Sequence, residues 1–330
     1  MASAGTAHQL AEAFGLGQVT GPMTAIGWSW VGEVWSLPSD RGLWAATRLF
    51  EWTAVIDNHL DDEVRLVEAA RSAGLAAPLA VRSTDGRVLV TIGDHRWRVH
   101  EELKLGPAPV RVTTDVAAVA GHALGVLHRL SLPTDRSITA PPSAPVQARW
   151  LSSWPTEASW QYLARRAAEA GRPWAAGLQT AIPALLDISA VCADLSSEPV
   201  ALSKYRLLPT DLRPGPDGGW VILNWEHAGP IPSRQELGAS LAECDKGDDP
   251  AVRRAFLAGY RSAGIEVPTL DMSMFTTAIS ATLNWTATRI NVALTSDNEE
   301  RRQLADREVP LLLANPPSRQ RFHRILEAVS

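Results

Sequence analysis

Large apolar residues alternate with small or polar ones along the N-terminal part of the chain, and this pattern predicts strands. Residues 17–52 fit a β-hairpin with its turn at Ser39-Asp40-Arg41-Gly42. Residues 61–73 place apolar side chains at helical spacing and stop before Gly74, which predicts a helix. Further strands are expected at 80–82, 88–92 and 97–101. We therefore expect a β-rich N-terminal unit that contains one well-marked helix.

Helical periodicity dominates the rest of the chain. It predicts helices at 116–130, within 150–195, and at about 234–244, 250–263, 271–294 and 318–328. The Gly- and Pro-rich connector from Glu101 to Pro109 suits a hinge, and the proline-rich stretch 131–146 suits an exposed loop. The predicted organisation is an N-lobe at 1–100, a hinge at 101–110 and a helical C-lobe at 111–330, with a loop at 204–211 and a strand at 220–225.

Composition narrows the class of protein. A chain of 330 residues that is 45% hydrophobic and 20% charged can bury a substantial core. The net charge of -5 favours neither a nucleic-acid partner nor a polybasic membrane anchor. No basic leader or long apolar stretch is visible, so we expect a cytoplasmic protein without a membrane partner. Cys192 and Cys244 lack metal-ligand spacing and are expected to be buried thiols.

The most informative segment is KYRLLPTDLRPGPDGGWVILNWE, from Lys204 to Glu226. It resembles the catalytic segment of the aminoglycoside phosphotransferase (APH) family, a branch of the protein-kinase-like fold, which reads close to HxDxxPxN and then DW or DFG. Lys204 stands at the position of the His and Arg206 at that of the catalytic Asp. Asp211 stands at the metal-binding Asn and Asn224 at the metal-binding Asp. The frame of the motif is kept, but its reactive groups are exchanged.

Other segments carry the same resemblance in the same order. Glu63 fits the helix glutamate that pairs with a strand lysine in the family, and Arg48 lies in the place of that lysine. The stretch from Ala25 to Gly32 is similar to the phosphate-covering loop, and His128 ends a helix like the family's LxxLH segment. The resemblance implies an α+β, bilobal protein-kinase-like fold with a small β-rich N-lobe and a larger, mainly helical C-lobe.

The exchanged residues change the chemistry that the resemblance implies. Phosphoryl transfer needs a cation on the phosphates, a carboxylate that accepts a proton and ligands that hold Mg²⁺. Arg206 cannot accept a proton, because the pKa of a guanidinium lies above 12. Asp211 and Asn224 keep one carboxylate and one amide in exchanged places, so they are the candidate metal ligands. We expect no cofactor, with weak binding of ATP and Mg²⁺ left open.

The candidate ligand-binding residues are Arg48, Glu63, Lys204, Arg206, Asp211 and Asn224. For Lys204 and Arg206 two interpretations stand side by side: solvated loop cations, or cations that point into the cleft and bind an anion. A further alternative for Arg206 is an internal ion pair with Asp211 or Glu226. Arg48 and Glu63 could form a structural ion pair with each other. Glu226 and His227 are expected to form a surface or packing pair.

The leading hypothesis is a catalytically degenerate kinase-fold protein, a pseudokinase, that binds an anionic or peptide ligand or a partner biosynthetic enzyme. Segments of the sequence such as LLPTDLRPGPDGGWVILNWEHAGP are similar to phosphotransferase-like proteins of actinobacterial natural-product (RiPP) pathways. One alternative is an active phosphotransferase that acts on a hydroxyl with atypical residues such as Asp211. A third hypothesis is a repurposed cleft that catalyses elimination or cyclisation, with Lys204 or Arg206 stabilising an anion. The sequence does not choose between the second and third.

Overall fold

A computed structural model describes residues 4–29, 31–50, 60–136 and 153–328. Within these residues an antiparallel sheet occupies the N-terminal part and helices dominate the C-terminal part. Parts of three predicted features lie outside the described residues: the end of the hairpin, the proline-rich loop, and Trp30 in the stretch that resembles a phosphate-covering loop. The two-lobed α+β architecture predicted from the sequence is confirmed.

The N-terminal sheet is antiparallel and has the strand order β1-β2-β3-β6-β4, with β5 paired to β6. Its strands are β1 (Thr24–Trp28), β2 (Gly32–Ser39), β3 (Gly42–Leu49), β4 (Ala80–Val81), β5 (Val90–Ile92) and β6 (His95–Glu101). The predicted tight turn joins β2 to β3, where Ser39 pairs with Gly42. Gly42 has a φ of 149°, a conformation that other residues rarely adopt, which explains the glycine at this turn.

Two helices flank the sheet. They are α1 (Ala4–Ala13) and α2 (Leu60–Ser72). α1 and the residues after it bury Leu10 and Phe14 against Leu37 and Trp97 of the sheet. α2 buries one face and ends two residues before Gly74, which has a φ of 93°. A glycine in this left-handed conformation is the usual residue after a helix end, so the helix stop read from the sequence is confirmed.

The C-terminal part is built around one large apolar core. Its helices are α3 (Thr114–Leu130), α4 (Glu157–Glu169), α5 (Ala175–Ser189), α6 (Ser233–Cys244), α7 (Pro250–Ser262), α8 (Thr276–Thr295), α9 (Glu299–Ala314) and α10 (Arg319–Glu327). Among the described residues, no helix has both the length and the apolar composition that a membrane span requires.

α3 and α7 approach each other unusually closely. A Cβ added to Gly121 of α3 would overlap the carbonyl oxygen of Phe256, and one added to Gly259 of α7 would overlap that of Ala118. Glycines at both positions therefore let the two backbones touch. The same pair of helices brings His128 against Tyr260, whose hydroxyl lies 2.8 Å from the imidazole Nδ1. The other ring nitrogen of this buried histidine lies 3.0 Å from Glu236 of α6, so His128 is a packing residue.

Two short strand pairs lie in the C-terminal part of the chain. They are β7 (Ala201–Ser203) paired with β10 (Gly229–Ile231), and β8 (Leu212–Pro214) paired with β9 (Trp220–Ile222). Both pairs are antiparallel. The loop at 204–211 connects β7 to β8, and the segment 223–228 connects β9 to β10. The two strand pairs therefore place the two halves of the motif side by side.

The structure differs from the predicted elements in two places. The strand expected at 220–225 ends at Ile222, because the chain turns sharply at Asn224, whose φ is 58°. α9 was not indicated by the periodicity, since charged residues fill its first half and Pro310 lies inside it. It is held by Ala305, Val309 and Leu313, which are spaced four residues apart and bury one stripe of the helix. The boundaries of the lobes stay predictions.

Candidate functional site

The loop at 204–211 is held in a strained conformation. Tyr205 has a φ of 87°, and a single 3-10 turn at Pro209–Asp211 closes the loop. A bulky residue with positive φ is uncommon and costs about 1–3 kcal/mol, so surrounding contacts must hold it there. Part of that support comes from α6, where the Ser240 hydroxyl accepts a hydrogen bond of 2.9 Å from the backbone N–H of Leu207.

Asp211 is the centre of the loop, because both of its carboxylate oxygens are bound inside the protein. Oδ2 accepts hydrogen bonds from the Lys204 Nζ at 2.5 Å and from the backbone N–H of Leu208 at 3.1 Å. Oδ1 accepts a hydrogen bond of 2.7 Å from the Asn224 side-chain amide. The side chains of Lys204 and Asp211 are each 2% exposed. Such deeply buried charges persist only when they are paired and hydrogen-bonded, as these are.

Asn224 reaches Asp211 because the chain leaves the strand direction after β9. Asparagine is among the few residues that adopt a left-handed conformation readily, which fits the φ of 58°. The backbone N–H of Leu223 donates to the Asp211 carbonyl oxygen at 2.9 Å, and the Trp225 indole N–H donates to the Ile222 carbonyl oxygen at 2.7 Å. The Trp225 ring then lies beside Lys204, whose Nζ is 6.0 Å from the ring centroid. This contact adds to the burial of the ammonium.

These contacts do not suit the Mg²⁺ ion that the resemblance implies. Mg²⁺ takes oxygen ligands at about 2.0–2.1 Å in near-ideal octahedral geometry. Here the Asp211 carboxylate already binds an ammonium, and the Asn224 amide turns its N–H group, which cannot bind a metal, towards that carboxylate. No cluster of three or more His, Cys, Asp or Glu side chains in the described part of the chain could hold a metal. The Lys204 ammonium therefore neutralises Asp211 from within the chain.

A second buried charge network lies between α2, β6 and the segment after β9. The Arg98 Nη1 donates to both carboxylate oxygens of Glu63 at 3.0 Å. The other terminal nitrogen of Arg98 lies 3.9 Å from a carboxylate oxygen of Glu226. All three side chains are less than a tenth exposed. Arg98 thus connects the N-terminal sheet with the segment that carries Asn224 and Trp225.

The pKa values in this network follow from burial and from the excess of carboxylates. Burial raises the pKa of Glu63, and Glu226 raises it further, against the opposing effect of Arg98. Burial and Arg98 lower the pKa of His100 to about 3, so this histidine is neutral. A small cavity of about 60 Å³, room for about two water molecules, is bordered by Glu63, His100 and Asn224. The space behind α2 is therefore nearly filled.

The pairing expected between Arg48 and Glu63 is wrong. Arg48 on β3 lies directly across from Glu33 on β2, and its guanidinium binds that carboxylate at 2.7 Å. Glu63 instead pairs with Arg98 on β6. Sequence reasoning missed Arg98, although a cation between the two large apolar residues Trp97 and Val99 of a predicted strand was a usable signal. Cross-strand neighbours on the sheet, rather than separation along the chain, decide which arginine reaches α2.

The structure brings Lys204, Asp211 and Asn224 together and separates Arg206 from them. Arg206 lies 3.6 Å from Glu243 of α6, with its side chain 39% exposed. The internal ion pairs considered for Arg206 are not formed, since Asp211 binds Lys204 and Glu226 faces Arg98. The surface alternative for Glu226 is also wrong, because its side chain is 4% exposed.

Arg206 faces a groove of about 440 Å³ between α6, α8 and α10. Sequence reasoning did not find this groove, because its lining comes from segments that are far apart in the chain. Arg206 and Lys204 are two residues apart, yet one lines the groove and the other is buried beside Asp211. The positive φ of Tyr205 between them accompanies this change of direction.

Comparisons with known proteins identify the fold. No family model matches the chain. No curated protein matches its sequence. Solved structures match along nearly the whole chain. They include the amicoumacin kinase hAmiN in complex with AMP-PNP, Ca²⁺ and Ami, at a TM-score of 0.63 and 11% identity over 96% of this chain and 95% of that one.

Two further solved structures give the same result. The spectinomycin phosphotransferase APH(9)-Ia, in complex with ADP and spectinomycin, has a TM-score of 0.61 and 11% identity over 97% of this chain and 96% of that one. The microcompartment-associated aminopropanol kinase has a TM-score of 0.61 and 15% identity over 98% of this chain and 97% of that one. At such identities the similarity concerns the fold alone. The chain therefore has the bilobal fold of the aminoglycoside phosphotransferases and related small-molecule kinases.

Proposed function

We propose that this protein uses a kinase fold to bind a ligand and does not transfer phosphate. The observation that carries the proposal is the saturation of Asp211, whose two carboxylate oxygens bind the Lys204 ammonium and the Asn224 amide. The ion pair supplies from within the chain the positive charge that a kinase takes from its metal. A carboxylate occupied in this way is not free to hold Mg²⁺ against the phosphates of a nucleotide.

The position of the general base supports the same conclusion. Arg206 stands where the resemblance places the catalytic aspartate, and a guanidinium cannot take a proton from a substrate hydroxyl. Losing a general base alone costs about 10²–10⁴ in rate. Here the loss is combined with a charge of the wrong sign for that role. Both of the acidic functions that phosphoryl transfer requires are thus altered in the same loop.

The alternative of an active phosphotransferase would require Asp211 to act as base or metal anchor. Its side chain is 2% exposed and faces Lys204 rather than a cavity. A substrate hydroxyl would have to displace that ammonium and leave it buried without a partner, which is energetically costly. The alternative of a non-phosphoryl reaction assisted by Lys204 meets the same obstacle. Arg206, which borders the groove, stays available for binding.

The ligand is expected to be anionic, because Arg206, unlike the buried Lys204 of the same loop, borders the groove. A small acidic molecule, an acidic peptide segment and a partner biosynthetic enzyme all satisfy that requirement. The connection with natural-product (RiPP) biosynthesis rests on the resemblance described above and stays a prediction. A cytoplasmic location is likewise still a prediction.

The test is a direct measurement of nucleotide binding and turnover. Purified protein is titrated with ATP by calorimetry, with and without Mg²⁺, and ADP release is followed with aminoalcohol and aminoglycoside acceptors. We expect no Mg²⁺-dependent heat and no turnover above the rate without protein. A Mg²⁺-dependent turnover in the ordinary kinase range of about 1–100 s⁻¹ would overturn the proposal.

A further inference from the structure

The groove beneath Arg206 has the dimensions of a small-molecule site. Its volume of about 440 Å³ lies within the range of about 300–1,000 Å³ that is typical of ligand pockets. Its walls come from the loop at 205–206, helices α6 and α8, and the segment from Ala314 to Arg324. All of these residues are among those that the structure describes. The groove is separate from the Lys204–Asp211 pair, which is buried.

Three arginines converge on the groove: Arg206, Arg321 and Arg324. One carboxylate, that of Glu243, also lines it. Glu243 is drawn towards Lys246, whose Nζ lies 2.6 Å from it, whereas Arg206 lies 3.6 Å from it. The Arg206 guanidinium is therefore only loosely held by this carboxylate.

The other two arginines are positioned by the helices around them. The Arg321 guanidinium donates to the Ala242 carbonyl oxygen at 2.8 Å, close to the end of α6. Arg324 lies 3.2 Å from Asp248, and this aspartate is shared with Arg253. Among the described residues that line the groove, three arginines accompany one carboxylate, which leaves two positive charges in excess.

The remaining walls combine apolar and polar groups, and most of their side chains are small. The alanines and prolines of the lining are Ala239, Ala242, Ala278, Ala281, Ala314, Pro316 and Pro317. Phe322 completes this apolar wall, and Thr277, Thr282, Asn315 and Ser318 add polar atoms. Small residues leave the space open, and their methyl groups suit an apolar ligand body. A cationic end and an apolar wall together select for an amphipathic acid.

We propose that the groove binds a small acidic molecule, with a carboxylate or phosphate ester against Arg206 and an apolar body against the alanine wall. The planar guanidinium can bind either anion through two parallel hydrogen bonds. This inference rests on the proposed function, because it assigns Arg206 to binding rather than to catalysis. It narrows the expected ligand to a small molecule and places it outside the position where the resemblance would put a metal.

The experiment uses matched probes in the absence of nucleotide and Mg²⁺. 4-Phenylbutyrate, phenyl phosphate and the uncharged 4-phenylbutyramide are titrated into the full chain by NMR. Both acids should bind, and the amide should bind at least about tenfold more weakly, since it lacks the charge-assisted hydrogen bonds. Comparing the two acids shows which anion the site prefers. Raising the salt concentration should weaken the binding of the acids, because the arginines are partly exposed.

Two kinds of variant locate the site. Arg206→Ala should weaken acid binding by about tenfold, while Arg254→Ala, an exposed arginine on α7 that does not line the groove, should leave it unchanged. Ala281→Leu keeps every charge but fills the groove, so it should weaken binding of both acids. Thermal melts of each variant show that it is folded.

The proposal is overturned if neither acid binds at millimolar concentration, if the amide binds as well as the acids, or if Arg206→Ala behaves like Arg254→Ala. These outcomes are independent of phosphoryl transfer. If the acids do not bind and ATP is not turned over, the groove assignment is wrong and the proposed function stands. If ATP is turned over and the acids also bind, the proposed function is wrong and the groove assignment stands.

Discussion

Replacing Lys204 by methionine removes the ammonium from Asp211 and keeps the length of the side chain. Methionine retains most of the apolar contact with Trp225, so the change is mainly one of charge. It leaves a carboxylate that is 2% exposed with two remaining donors, the Asn224 amide and the Leu208 N–H. The variant therefore tests whether this ion pair holds the loop together.

The expected loss follows from the burial of the pair. Breaking a buried ion pair by removing one partner costs about 3–5 kcal/mol. Because Asp211 keeps two hydrogen-bond donors, we expect a loss of about 3 kcal/mol for Lys204→Met. The double variant with Asp211→Asn has no uncompensated charge. It should recover about 2 kcal/mol of that loss, within the range of coupling energies for contacting residues.

The measurement is equilibrium urea unfolding followed by the fluorescence of the thirteen tryptophans. Lys104→Met, at an exposed position, is the control and should change the free energy of unfolding by less than about 0.5 kcal/mol. A loss below about 1 kcal/mol for Lys204→Met would refute the argument. So would a double variant that is no more stable than Lys204→Met.

Three further predictions concern Mg²⁺ binding at Asp211, the pH dependence due to His100, and the contact between α3 and α7. Mg²⁺ should leave the melting temperature of the wild type unchanged but raise that of Lys204→Met, because the freed Asp211 carboxylate can then bind a cation. A Mg²⁺-dependent rise in the melting temperature of the wild type would contradict the proposed function. The pKa of His100 lies near 3 in the folded protein and 6.5 when unfolded. Its contribution to the free energy of unfolding is therefore fully present above pH 6.5 and is lost as the pH falls from 6.5 towards 3. The stability difference between wild type and His100→Gln should therefore fall by about 1.4 kcal/mol from about pH 7.5 to 5.5, and a difference independent of pH would refute this. Gly121→Ala should destabilise the protein by about 2 kcal/mol or more in urea unfolding, because its methyl group would overlap α7. Gly177→Ala, at a helix position with open space around it, should be neutral or stabilising. Equal effects of the two substitutions would refute the close approach of α3 and α7.

Local patterns in the sequence predict most of the helices and strands. Alternation and turn residues predict the β2–β3 hairpin, and helical spacing before Gly74 predicts α2. These signals work because a strand and an amphipathic helix each expose one face to water and bury the other. These signals did not predict α9, since its buried stripe is narrow and its exposed positions include leucines as well as charged residues. Periodicity detects a helix only when its buried face is broad enough to stand out.

Residue identity within the motif was also informative by itself. Arg206 in place of a carboxylate excludes a general base there whatever the structure, because a guanidinium keeps its proton. Asp211 and Asn224, which the order of the motif singles out together, lie within hydrogen-bond distance of each other, and their role in ligand binding stays a prediction. Those conclusions depend only on the chemistry of the side chains and on their order along the chain.

The partners of the charged residues were decided by the tertiary structure alone. Arg98 rather than Arg48 reaches Glu63, since strand pairing sets which side chains face α2. Lys204 turns inward to Asp211, while Arg206, two residues later, faces a groove formed by distant helices. Coulomb attraction acts over distances in space, and the burial that strengthens it exists only once the chain has folded. The sequence therefore determines which charges are present, and only the folded structure determines which of them meet.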